Sequence, residues 1–153
     1  MSGRVMVGID GSAGSRRALR WALAEAARRG TAVEAVTVWE SPYDFGETVY
    51  FPVDEEKMAA AARDRLRTVV ADEAGEDPAV PIDQVVVEGD PATVLCTRSA
   101  GADLLVVGAR GRGGFTGLLL GSVSTKCVHH SRCPVVVVHP GDDEAPAGGG
   151  TSR

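Results

Sequence analysis

The residues with the clearest chemistry are the glycines of the segment 108–121, the last of which opens Gly121-Ser122-Val123-Ser124. A phosphate is held by several backbone N–H groups pointing inward, and a chain without Cβ atoms approaches it most closely. Gly121-Ser122 also reads as the start of a helix, whose first N–H groups are unpartnered and carry partial positive charge. Arg110 and Arg112 add full charges, and Ser122 and Ser124 add hydroxyls. The chemistry these residues suit is holding a polyphosphate. No Gly-Lys pair is present, so the loop is not a Walker A loop. A dinucleotide fingerprint would put its glycine turn after the first strand, where Asp10-Gly11-Ser12 stands instead. Asp10 suits the hydroxyls of a sugar and can also reach a metal through water. Each residue has a simpler role beside this one: the glycines as a surface turn, Asp10 as the shaper of the turn before Gly11, Ser122 as a helix cap.

A second cluster, Cys127, His129, His130 and Cys133, has the residue types for zinc. Its ligands would have to converge from a shared turn, whereas here they spread along a helix and into the approach to a strand. They are read as packing and surface residues. Trp21 is assigned to core or interface, and Asp54, Glu55 and Glu56 to the electrostatics of a helix start.

These residues need a scaffold, and the valine-rich segments supply it. Strands are expected at Val5–Ile9, Ala32–Trp39, Ile82–Val87, Asp103–Gly108 and Pro134–His139. Most are continuous apolar runs, as in strands covered on both faces. Helical patterns lie between them. The first starts at Ser12 and ends at Gly30, with Leu19, Ala22, Leu23 and Ala26 on one face. The second carries Met58, Ala62, Leu66, Val69 and Val70 and stops at Gly75. The third opens at Asp90-Pro91 and stops at Gly101, and the fourth runs from Gly121-Ser122 to about Ser131. Strict β-α alternation implies right-handed crossovers and an α/β fold with a doubly wound parallel sheet. In such a sheet ligands bind beyond the carboxyl ends of the strands, where strand order reverses. Asp10 and the glycine segment both fall at such ends.

Composition narrows the function classes. The chain has 153 residues, room for one domain, with 44% hydrophobic and 24% charged residues. A net charge of −5 and 5% aromatics argue against nucleic-acid binding by charge or base stacking. No apolar run reaches membrane-span length, and no secretory leader is read at the N-terminus. Three cysteines then point to a reducing compartment, so a cytoplasmic protein is expected. The connection Glu40–Val53, with Tyr43, Phe45 and Tyr50, is long enough to be functional. The stretch 141–153, with its triple glycine, is expected to be a disordered tail behind a domain spanning 1–140.

The spacing Gly108-Ala109-Arg110-Gly111, nine residues, Gly121-Ser122 resembles the nucleotide motif of the universal stress protein family. Val5–Ser12, Glu88–Ala92 and Cys133–Val138 are similar to its flanks, so the resemblance covers about residues 4–139. It implies a five-stranded sheet of order 3-2-1-4-5, which sets strands 1 and 4 side by side at a switch point. For the ATP-binding members it implies ribose at Asp10, adenine at the backbone of Val38, and phosphates against Gly108, Gly111, Gly121, Ser122, Val123 and Ser124. Ile9, Val107, Arg110 and Arg112 complete the expected set. The expected ligand is ATP, AMP or ADP, with Mg²⁺ as a companion, and the expected role is a nucleotide-dependent stress regulator. A slow ATPase or nucleotidyl-transfer enzyme and a cyclic AMP binder are the alternatives. A flavodoxin-like electron carrier fits less well, because flavodoxins place their phosphate loop after strand 1, and the loop there is not rich enough in Gly, Ser and Thr. In the 3-2-1-4-5 order strand 5 is an edge, and Val135–Val138 carries no charge to protect it. A homodimer through antiparallel pairing of strand 5 is expected, as in many relatives.

Overall fold

The computed structural model describes residues 3–45, 52–111 and 120–141. Five parallel strands form one sheet: β1 (Arg4–Gly8), β2 (Ala32–Trp39), β3 (Ile82–Glu88), β4 (Leu104–Gly108) and β5 (Val135–Val138). Their order is β3-β2-β1-β4-β5. The helices between them are α1 (Ala13–Arg29), α2 (Glu55–Ala74), α3 (Pro91–Arg98) and α4 (Ser122–His130). A 3-10 turn over Pro42–Phe45 follows β2. Expected boundaries shift by one residue in most strands, and the order is the expected one. Arg112, Tyr50 and most of the tail (142–153) lie outside the described residues.

β1 sits at the centre, paired with β2 on one side and β4 on the other. Val5, Met6 and Val7 are all fully buried, which explains a strand with no alternation. Val5 and Val7 face α1 and α2, in a core with Val33, Ala35, Leu19, Leu66, Val69 and Val106. Met6 faces α3 and α4, in a second core with Val36, Leu95, Cys96, Leu105, Val107 and Cys127. Trp21 packs, partly buried, against the first core.

The helix ends follow local chemistry. Ser12 caps α1 by accepting from the Ser15 N–H at 3.2 Å, and Gly30 closes it in the left-handed region at φ +65°. The third helix stops before the expected Gly101. Ser99 is its C-cap, and Gly101, at φ +79°, lies two residues further on. The buried Ser99 hydroxyl donates to the Cys96 carbonyl at 2.7 Å and accepts from the Arg132 N–H at 2.8 Å. That second bond ties the end of α3 to the α4–β5 connection. At the amino ends of the strands, the buried Glu34 carboxylate is held by Arg4 and Arg98, each at 3.0 Å. Among the described residues no helix is long and apolar enough to cross a membrane.

The cap of α3 has a pH signature. The Asp90 carboxylate accepts from the backbone N–H of Thr93 at 3.0 Å and from its hydroxyl at 2.8 Å. These bonds, the backbone one first, hold its pKa below the usual carboxylate range. A depressed folded-state pKa gives stability that is present above the unfolded value and is lost as pH falls through the folded one. Asp90→Ala is expected to cost about 1 kcal/mol near neutral pH. Denaturant melts of the two proteins should converge as the pH drops below the carboxylate range, and a pH-independent gap would refute the assignment.

Candidate functional site

A cleft of about 400 Å³ opens at the carboxyl ends of β1, β2 and β4. Of the twelve residues expected there, Ile9, Asp10, Val38, Val107, Gly108, Arg110, Gly111, Gly121, Ser122, Val123 and Ser124 all line it. Arg112 is outside the described residues. The cleft has two characters. Val36, Val38, Pro91, Leu95 and Val107 make an apolar side between the sheet and α3. Asp10, Ser12, Gly108, Arg110, Gly111 and the start of α4 make a polar side.

The polar side is built on a close backbone approach. A Cβ on Gly108 would lie 2.8 Å from the Gly14 carbonyl carbon and oxygen, and one on Gly14 would lie 2.5 Å from the Arg110 oxygen. Only glycine lets the end of β4 pass over the first turn of α1. A Cβ on Gly111 would lie 2.5 Å from Asp10 Oδ2, so Gly111 rests on that carboxylate. Asp10 Oδ1 in turn accepts from the Ser12 N–H at 2.9 Å and from the Ser12 hydroxyl. Asp10 is therefore both a wall of the cleft and a brace for the residue that caps α1.

The start of α4 differs from the other helix starts. Side chains of Ser12, Asp54 and Asp90 cap α1, α2 and α3, whereas the N-cap of α4 is Gly121, with no side-chain bond. Ser122 is thus the first helical residue and not the cap. The Gly121 N–H donates to the Ala109 carbonyl at 2.6 Å, which pins this helix start to the end of β4. Ser124 was expected to offer its hydroxyl to phosphate. That hydroxyl is buried and donates to the Ala109 carbonyl at 2.8 Å, so Ser124 offers the cleft its backbone. The first-turn N–H groups of a helix have no intrahelical acceptor, and here they border the cleft.

Gly8, Ser15, Val36, Glu40, Arg65, Pro91 and Leu95 line the cleft without having been assigned to the expected set, as does Ser12. Val36 was accessible from sequence as the residue two before Val38 on the same strand face. Arg65 was not, because it reaches the cleft from the exposed side of α2, where spacing along the chain carries no signal.

The second cluster takes a different shape. Cys127 is fully buried, and burial first, then its neighbour Cys96, pushes its thiol up to about 12. A protonated thiol is neither nucleophile nor metal ligand. His129 and His130 are exposed on α4. Among the described residues no three metal-ligating side chains gather.

The fold and cleft define a doubly wound α/β protein with an open cleft at the switch point between β1 and β4. The universal stress protein family model matches residues 1–139, and the chain belongs to that family. It is 43% identical over 134 residues to the universal stress protein Rv2005c of Mycobacterium tuberculosis, covering 87% of this chain and 44% of that one. The chain thus spans less than half the length of this relative. Among solved structures, a universal stress protein in complex with cAMP is similar at 29% identity and a TM-score of 0.59, with 92% of this chain and 98% of that one covered. The universal stress protein UspA from Lactobacillus plantarum shares the fold, at 20% identity and a TM-score of 0.67, over 90% and 97% of the two chains.

The glycines divide by what a methyl group would meet. At Gly121 it would find ordinary contacts of 3.5 Å and more, against backbone at 2.8 Å for Gly108. Gly108→Ala should therefore cost about 1–3 kcal/mol through overpacking, and Gly121→Ala should leave the ligand-free melting temperature nearly unchanged. Equal melting temperatures for the two variants would refute the backbone contact as the reason for Gly108.

Proposed function

We propose that the chain binds an adenine nucleotide in this cleft and acts as a nucleotide-dependent regulator. The observation that carries the reading is the start of α4, a helix whose N–H groups are capped by no side chain among the described residues and border a cleft with Asp10 and an apolar side. A planar base suits the side formed by Val36, Val38, Pro91 and Leu95. The ribose hydroxyls suit Asp10, and an anionic phosphate suits the helix start and the glycine segment. ATP, ADP and AMP all match this layout, with Mg²⁺ as a companion of the polyphosphate forms. A cyclic AMP ligand is the second reading, favoured by the cAMP complex of the relative at 29% identity. Among the described residues the carboxylates lining the cleft are Asp10, tied to Ser12, and Glu40 just after β2. This layout favours holding a nucleotide over cleaving it. The functional unit is placed in residues 1–140, and its setting in the cytoplasm.

Two variants test the site. Gly121→Asp puts a carboxylate where the phosphate would sit, and its φ of −79° suits any residue. It should abolish ATP binding in calorimetry while the chain stays folded. Asp10→Asn keeps an acceptor for the Ser12 N–H and removes the charge. It should weaken ATP by up to about 1.5–3 kcal/mol with little loss of melting temperature. Wild-type affinity in both variants would sink the assignment.

A homodimer through β5 is part of the proposal. β5 is an edge whose four valines are each half-buried. The Pro134 and Val138 carbonyls accept from Leu105 and Ala109, both at 2.9 Å. By alternation the polar groups of Val136 also point to β4 and those of Val137 point outward. Proline lacks the N–H a ladder needs. Val137→Pro should yield a folded monomer in light scattering, whereas Val136→Pro should unfold the β4–β5 edge. A wild-type chain that is monomeric at micromolar concentration would exclude the dimer.

A further inference from the structure

Arg65 stands on α2, away from both the glycine segment and α4, and yet lines the cleft. Its route there is sterically built. The Arg65 Cδ would lie 2.9 Å, and its Cγ 3.5 Å, from a Cβ at Gly11. Gly11 has none, and its φ of +84° suits glycine. The arginine stem therefore lies flat across the β1–α1 turn, next to Asp10. On its other side Arg65 lines a shallow groove with Arg16, Asp64, Thr68 and Val69, so the side chain divides the cleft from that groove.

Among the described residues no carboxylate pairs with Arg65. Neighbouring arginines of α1 and α2 are spent on carboxylates: Arg16 on Asp72 at 2.9 Å, Arg20 on Glu73 at 2.7 Å and Arg67 on Asp64 at 3.2 Å. Arg65 has no ion-pair partner among the described residues, although Asp10 is close in the chain to its seat on Gly11. Arg110 borders the cleft from the glycine segment and is likewise without one. Two arginines thus line the same cleft, one from α2 and one from the end of β4. A planar guanidinium with several donors is suited to phosphate oxygens.

We infer that Arg65 grips the phosphate chain of the bound nucleotide from the α2 side, so that the site favours ligands carrying more phosphate groups. The inference rests on the adenine-nucleotide reading above. It assigns a specificity role to a residue that neither the glycine spacing nor the start of α4 points to.

The test is a calorimetric titration of adenosine, AMP, ADP and ATP into the full chain, its Arg65→Gln variant and its Arg65→Lys variant. Arg65→Gln should weaken ATP and ADP by about three- to tenfold, a charge-assisted bond discounted for solvent exposure. Adenosine should bind all three proteins equally, and Arg65→Lys should recover part of the loss. Raising the salt concentration should narrow the gap between wild type and Arg65→Gln, since exposed charges are screened. An equal loss for adenosine and ATP would show a merely structural role and overturn the inference, as would no loss for any ligand. A wild-type chain that binds none of the four would overturn the adenine-nucleotide reading, and the grip with it. Binding of all four with no discrimination by Arg65→Gln would overturn the grip alone.

Discussion

The whole polar side of the cleft depends on one backbone contact, the passage of Gly108 over Gly14. It joins the end of β4 to the first turn of α1 with no side chain between them. Because these two segments touch, the loop leaving β4 is directed over the β1–α1 turn. Gly111 then comes to rest on Asp10, and Ala109 reaches the start of α4. Three glycines, Gly14, Gly108 and Gly111, thus have a steric reason inside the protein itself. Gly121 has none of that kind. Among the described residues a Cβ there would meet only ordinary contacts, so they do not require a glycine at that position.

The two ends of the sheet are treated differently. At the amino ends, the Glu34 carboxylate is buried between Arg4 and Arg98. Such a group is costly to desolvate, and removing one partner of a buried pair costs several kcal/mol because the other charge is stranded. Arg98 ends α3, and Arg4 also donates to its carbonyl at 2.7 Å. The far end of α3 is therefore fastened to β1 and β2. Its near end, at Pro91, is then a fixed part of the cleft's apolar side. Rigidity at one edge of the sheet supports an open site at the other.

The sequence made the scaffold and the centre of the cleft legible for physical reasons. Strands buried on both faces must be continuously apolar, and Val5–Val7 and Leu104–Val107 are. Helix starts need acceptors, and Ser12 and Asp90 stand where they are needed. Each of these features is local. What remained hidden is set by tertiary packing. Gly108 looks like a phosphate-loop glycine in the chain, yet its own neighbour is Gly14, far away in sequence. Ser124 reads as a hydroxyl donor, and only the path of β4 shows that the hydroxyl turns to Ala109. Gly101 carries the usual helix-stop signal and takes the left-handed φ, but the C-cap is Ser99, two residues earlier, whose hydroxyl accepts from the distant Arg132 N–H.

The caps also show where stability and function part. Three helices use a serine or aspartate at the N-cap, and α4 uses glycine. Glycine gives up only a few tenths of a kcal/mol relative to a good cap, so the loss is small. A serine or aspartate at position 121 would satisfy a helix N–H from within, and aspartate would also place negative charge at the positive end of the helix. Both gains would be made in the space an external anion needs, with its own donor already taken. A helix start left to glycine, beside a carboxylate and an apolar side, is a small standing cost in stability, and the anion site proposed above would account for it.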